Sequence, residues 1–201
     1  MGKHDSFVQG ESFRDFGREI KGLRSLKEAQ NWIRKREEIY YKFLDTRDII
    51  AFIGKNIGEF YKAYVTKEVY PDRWWGGSEG AESMEEELAD ILHWCLVLSN
   101  RLNADLGEVI AKIEGFKEEM SAREIQESVK YKYRMYTSIR QNILLLGSAF
   151  GELCKNFLEG KVKQIELLPS LEKIALWCFS AANAINVDLF EAWKSRQIPG
   201  R

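Results

Sequence analysis

Apolar residues recur at intervals of three and four along almost the whole chain, and the period-two alternation of a half-buried strand is absent. That pattern leaves room for little other than an all-α fold. The prolines agree: there are three, Pro71, Pro169 and Pro199, and none interrupts a periodic segment. The spacing predicts eight helices, at about 25–44, 47–66, 82–103, 105–118, 121–134, 137–158, 168–185 and 188–196. Ser83-x-x-Glu86, Asp105-x-x-Glu108 and Asp188-x-x-Glu191 read as helix starts, because the side chain of the first residue can cap the backbone of the turn that follows. Residues 1–22 are polar, carry no signal-peptide core, and read as a segment outside the bundle.

The helices come in two similar sets. Gly54, Gly58, Glu59 and Lys62 match Gly147, Gly151, Glu152 and Lys155 at an offset of 93. Leu88, Ile91, Trp94, Cys95, Asn100, Asn103, Asp105, Leu106 and Glu108 match Leu171, Ile174, Trp177, Cys178, Asn183, Asn186, Asp188, Leu189 and Glu191 at an offset of 83. The offset shrinks because the loop near 67–81 is longer than its counterpart near 159–167. The expectation is a tandem duplication of a four-helix unit, 23–118 and 119–201, fused into one globular domain with an apolar interface. The Gly-xxx-Gly of each copy is expected to let two helix backbones approach closely.

Bulk properties remove several classes of function. With 30 basic and 31 acidic residues the net charge is −1, which provides no global field for nucleic acid or an anionic membrane. Basic stretches such as Arg34-Lys35-Arg36 read as solvated helix faces. No apolar run approaches the roughly 20 residues of a membrane span. Three cysteines in apolar helical context point away from a disulfide framework and toward a reducing, cytoplasmic setting.

One helix is unusual. On 82–103, Glu87 and Asp90 share a face with His93 or Trp94 and Asn100. Burying such groups costs free energy unless something pairs with them, and a divalent cation suits convergent carboxylates. The second copy has Ser170, Lys173 and Leu176 where the first has Glu87, Asp90 and His93. Structural residues are kept and charged ones are not, which singles out Glu87 and Asp90. Bland readings stand beside these. His93 reads as a satisfied core histidine as readily as a functional one, Asp105 as a helix cap, and Asn100, repeated as Asn183, as a helix–helix hydrogen bond.

Asn56-x-x-Glu59, 27 residues, then Glu87-x-x-Asp90 resembles the ExxE…ExxD pattern of the all-α nucleoside triphosphate pyrophosphohydrolases, the MazG-like superfamily. Gly58-Glu59-Phe60, Glu86-Glu87-Leu88-Ala89-Asp90-Ile91-Leu92 and Ser99-Asn100-Arg101-Leu102-Asn103-Ala104-Asp105-Leu106 are similar to that family's motifs. Asp90-Ile91-Leu92-His93-Trp94 resembles the dimeric dUTPase branch, which makes dUTP a candidate substrate. The resemblance implies Mg²⁺, with Mn²⁺ as a substitute, and hydrolysis of a nucleoside triphosphate to a monophosphate and pyrophosphate. It implies Asn56, Glu59, Glu87 and Asp90 as metal ligands, and Glu59, Glu86, Glu87 and Asp90 as the catalytic acids. It implies Asn100, Lys112 and His93 toward the substrate. Apart from the resemblance, assembly of two chains into a homodimer is left open by the sequence. The departure is Asn56, where the family has an acid. In the second copy only Glu152 survives of the four ligands, so one working site per chain is expected. The alternative is a catalytically degenerate protein that binds a nucleotide or a partner helix.

The loop Tyr70-Pro71-Asp72-Arg73-Trp74-Trp75-Gly76-Gly77 has no counterpart in the second copy. Trp74 and Trp75 read equally as a base-stacking lid or as a plug for the bundle end.

Overall fold

A computed structural model describes residues 13–69, 83–117, 119–134, 138–160 and 164–198. All regular structure among them is helical, as expected: α1 (Phe13–Gly22), α2 (Leu26–Tyr40), α3 (Thr46–Tyr64), α4 (Met84–Arg101), α5 (Leu106–Glu114), α6 (Ala122–Lys132), α7 (Ile139–Leu158), α8 (Gln164–Ala184) and α9 (Leu189–Arg196). α3 runs on into a π turn, Val65–Val69. Side chains at Ser25, Asp45, Ser83 and Ser121 cap α2, α3, α4 and α6, each with a glutamate or aspartate three residues on that returns the bond. Among the described residues no helix is long and apolar enough to cross a membrane.

Two helices depart from the expectation. The polar segment 1–22 contains α1, whose Ile20 is fully buried and whose Glu19 pairs with Lys35 and Arg36 of α2 at 3.0 Å each. Phe13, Phe16 and Ile20 do recur at three and four in this stretch, but over only two turns and among seven polar or glycine residues. α8 begins at Gln164 instead of 168, so Pro169 lies inside it. Proline there forfeits only the bond to a first-turn carbonyl, and its ring is exposed.

The long helices pair as α3 with α4 and α7 with α8, and α4 packs on α8 at the centre. Leu88, Ile91, Leu92 and Cys95 of α4, and Leu171, Ile174, Ala175 and Cys178 of α8, are all fully buried. The short helices cross over: α9 packs on α4, and α5 packs on α8. The last helix of each half therefore completes the core of the other half.

The same polar knot ties both halves. Gln30 of α2 donates to Asn100 Oδ1 at 3.2 Å and to Ala104 O at 2.8 Å, accepts from Leu106 N at 2.8 Å, and its carbonyl accepts from Asn100 Nδ2 at 3.0 Å. Gln126 of α6 does likewise with Asn183 Oδ1 (3.1 Å), Val187 O (2.6 Å), Leu189 N (3.0 Å) and Asn183 Nδ2 (3.0 Å). Asn103 and Asn186 both take left-handed backbone at the turn that follows.

The glycine expectation needs correction. A Cβ at Gly54 would sit 2.5 Å from the Phe150 ring, so any larger residue there obliges that α7 side chain to shift. The neighbour is a ring and not a helix backbone, and at Gly58, Gly147 and Gly151 a Cβ would meet nothing within 4 Å.

Candidate functional site: the α3–α4 face

The register of α3 against α4 is set by aromatic contacts. Phe52 of α3 stacks on Trp94 of α4, centroids 4.5 Å apart and planes at 10°. Arg101, at the end of α4, donates to the carbonyl of Tyr41, just ahead of α3, at 2.7 Å. The start of α3 therefore lies by the end of α4, and the two run antiparallel. Helices that run antiparallel advance equally from a shared contact. One turn along α3 from Phe52 is Asn56, and one turn back along α4 from Trp94 is Asp90. Three residues further, Glu59 on α3 stands at the level of Glu87 on α4. The four residues singled out as ligands thus occupy one stretch of the hairpin, with the aromatic pair at its end.

Their side chains are held differently. Asn56 and Glu87 are each 3% exposed. Glu59 is half-exposed and takes Lys55 Nζ at 2.7 Å. Asp90 takes a forked contact from Arg196 of α9, with Nη2 to Oδ2 at 2.8 Å and Nε to Oδ1 at 3.3 Å. Glu86 accepts from the backbone of its own cap, Ser83, at 2.7 Å and lies 3.8 Å from Arg196. With two carboxylates drawn to cations, no three His, Cys, Asp or Glu side chains converge on a metal-sized point among the described residues.

The second hairpin carries a different charge at these places. Glu152 of α7, the counterpart of Glu59, pairs with Lys173 of α8, the counterpart of Asp90, at 2.9 Å. Ser170, at the place of Glu87, is hydrogen-bonded to Asn156 at 3.3 Å. The second hairpin pairs its two helices with each other, whereas in the first Glu59 is paired within α3 by Lys55 and Asp90 of α4 is paired by Arg196.

His93 is buried and fully engaged. Trp193 of α9 donates its indole N–H to Nδ1 at 3.3 Å, so Nδ1 carries no proton and the hydrogen is on Nε2. Nε2 then donates to the hydroxyl of Tyr41 at 2.9 Å. Burial pulls its pKa down to about 4, outweighing the lift from the Asp90 charge. This is a neutral core histidine that welds α9 to α4, and the geometry gives it no opening toward a substrate.

Asn100 is likewise consumed. Its amide makes the knot described above and also accepts from Arg34 at 3.2 Å. The repetition at Asn183 accounts for it without a ligand. Lys112 is exposed on α5, a helix packed on α2 and α8 and not on the α3–α4 face. Trp74 and Trp75 lie outside the described residues.

Two features of the face, and one buried acid away from it, carry no signal in the sequence. Phe52 has no partner visible in its own helix, and at the offset of 93 its counterpart is Leu145. Arg196 is 106 residues from Asp90, with no spacing signal to join them. At the offset of 83 Glu172 corresponds to Ala89. It is 1% exposed beside Glu114 of α5, and its Oε1 accepts no hydrogen bond among the described residues. Burial, helped by the Glu114 charge and opposed by Lys173 and Lys132, pushes its pKa up to about 8.

No family model, curated protein or solved structure matches the chain.

Proposed function

We propose that the chain is a Mg²⁺-dependent nucleoside triphosphate pyrophosphohydrolase of the MazG-like kind, built from a duplicated helical unit with one surviving site. The observation that carries this reading is the register set by Phe52 and Trp94, which levels Asn56 with Asp90 and Glu59 with Glu87. The paired knots at Gln30 and Gln126 support the duplication, and the Glu152–Lys173 ion pair supports a site in the first copy alone.

The donor types suit the ion, while the side chains as they stand do not converge on one point among the described residues. Three carboxylates and one amide oxygen are all hard oxygen ligands, which Mg²⁺ takes while keeping waters for exchange with phosphate. When bound, Mg²⁺ supplies neutralisation of the triphosphate and a more acidic water. Glu59, Glu87 and Asp90 would hold it, with Asn56 as a neutral oxygen. Glu86, at the first turn of α4, is close enough to Arg196 to orient a water or a ligand beside them. The half-buried Phe52–Trp94 pair supports a role for stacking a base, which moves the substrate end from Asn100 and His93 to this aromatic step. The substrate is a ribo- or deoxyribonucleoside triphosphate, with dUTP the first to try.

The test is pyrophosphate release from a panel of these triphosphates, with and without Mg²⁺ or Mn²⁺. Metal-dependent release from at least one substrate is expected. Glu87→Gln should lower kcat by at least about 100-fold while the far-UV spectrum stays unchanged. Full activity in that variant would remove Glu87 from the site. The second reading, a degenerate protein that binds nucleotide without turnover, is favoured by Asn56. It predicts nucleotide-dependent thermal stabilisation with no pyrophosphate released.

A further inference from the structure

Two cavities of nearly equal size stand at equivalent places in the two halves. One, about 170 Å³, lies between α2 and the turn from α4 to α5; the other, about 180 Å³, lies between α6 and the turn from α8 to α9. Their walls correspond residue by residue. At an offset of 96, Lys27, Gln30, Asn31 and Arg34 match Arg123, Gln126, Glu127 and Lys130, and at the offset of 83 Asn103 and Asp105 match Asn186 and Asp188. Each cavity has a cation at both ends of one helix face, two turns apart, with the glutamine of the knot between them. One difference bears on what they can bind. The second has the carboxylate of Glu127 one turn from Lys130, where the first has only the amide of Asn31 one turn from Arg34.

The acid common to both is spent. Asp105 Oδ1 accepts from Glu108 N at 3.1 Å to start α5, and Oδ2 faces Lys27 Nζ at 3.3 Å. Arg34 stands at the far end of the cavity from that pair. Of the basic run Arg34-Lys35-Arg36, Lys35 and Arg36 both reach Glu19. Arg34 instead turns toward the knot and donates to Asn100 Oδ1 at 3.2 Å, a neutral oxygen that already holds Gln30. Among the described residues it has no carboxylate partner.

We propose that the first cavity binds one small oxyanion, a carboxylate or phosphate group, between Arg34 and Asn31, in the place that the second cavity gives to Glu127. A guanidinium has five N–H donors, and an amide oxygen that is shared with Gln30 leaves most of them over. Two of them form a fork that matches a pair of anionic oxygens. The Asn31 amide adds a neutral donor one turn away. Lys27 holds the Asp105 charge at the other end, so the anion meets a net positive wall. The second cavity keeps its two cations beside an acid of its own, and an incoming anion would be repelled by Glu127. Arg34, Asn31 and Glu127 are all exposed, so binding is in the millimolar range and weakened by salt. The site is separate from the α3–α4 face and stands whether or not that face is catalytic.

The experiment titrates the full chain, labelled with nitrogen-15, with inorganic phosphate and separately with acetate, each against chloride at matched ionic strength. The side-chain amide signals of Asn31, Gln30 and Asn100 report the first cavity, and those of Gln126 and Asn183 the second. In wild type the first set should shift and saturate with an oxyanion but not with chloride, and the second set should stay still. Saturation with phosphate alone supports a phosphate site; saturation with acetate as well supports a carboxylate site. Arg34→Gln should weaken binding about ten-fold. Asn31→Glu, which copies the second cavity, should abolish saturation. Glu127→Asn, which copies the first, should make Gln126 and Asn183 saturate too. All three positions are exposed, so the fold is expected to hold, with the far-UV spectrum as the check. Shifts that never saturate, or that chloride reproduces, would overturn the proposal. Wild-type affinity in Arg34→Gln would overturn it as well, and a second cavity still silent in Glu127→Asn would overturn the role given to that acid.

Discussion

His93 and Glu172 are buried titratable groups held in opposite ways, and the pH dependence of stability should display both. His93 has a folded pKa of about 4 against 6.5 unfolded. Between those values the unfolded chain takes a proton that the folded one refuses, so this residue removes stability as pH falls from 6.5 toward 4. Glu172 has a folded pKa of about 8 against 4.5. Here the folded chain keeps a proton that the unfolded one releases, so stability is lost as pH rises from 4.5 to 8. Each slope is about 1.4 kcal/mol per pH unit at full strength. The two oppose each other from 4.5 to 6.5, and Glu172 acts alone from 6.5 to 8. Glu172→Gln should therefore flatten the decline above pH 6.5 and stabilise the protein at pH 8. His93→Gln, which can still accept from Trp193 and donate to Tyr41, should expose the Glu172 slope across the whole range. Urea midpoints measured from pH 4.5 to 8 check both; parallel curves for wild type and Glu172→Gln would refute the burial argument.

Helices here are decided partly by their own sequence and partly by what crosses them. The caps at Ser25, Asp45, Ser83 and Ser121 are local, so their helix starts follow from neighbouring residues. Gly54 is not a local matter. Alanine in a helix interior is ordinarily worth about 1 kcal/mol over glycine. Gly147→Ala and Gly151→Ala, where a Cβ meets open space, should be stabilising by roughly that amount. Gly54→Ala should instead be neutral or destabilising, because the Phe150 ring must move from 2.5 Å. The double variant with Phe150→Leu should recover the gain. Thermal melts of the four variants suffice, and a stabilised Gly54→Ala would show that the ring yields without cost. The knots at Gln30 and Gln126 belong to the same scale. Asn100 and Asn183 advertise a polar position inside an apolar stripe, but their partner lies 70 residues away in one case and 57 in the other.

The whole molecule is interlocked. Because α9 packs on α4 and α5 on α8, neither half keeps its full core alone. Trp193 makes the point: it is fully buried, donates to His93, stands edge-on to Trp32 at 6.0 Å and stacks on Phe190 at 5.3 Å. Trp193→Ala should cost about 3–5 kcal/mol, and the wild type should unfold in one transition with equal calorimetric and van't Hoff enthalpies. Two separate transitions would show that the halves are independent. The crossing also explains why the acidic face of the first half takes its forked cation from the second.

What the chain's own residues determined is the helical class, most helix boundaries, the two-fold matching of positions and the acids on α3 and α4. All of these rest on contacts three or four residues apart, or on comparison of the chain with itself. Only the tertiary structure decided that Asn100 and His93 are spent inside the core, that Phe52 completes the face beside Asp90, and that Arg196 sits on it. Each of those depends on a partner 42 to 106 residues away, brought near by helix crossing, and periodicity along one helix records which face is buried but not what it is buried against.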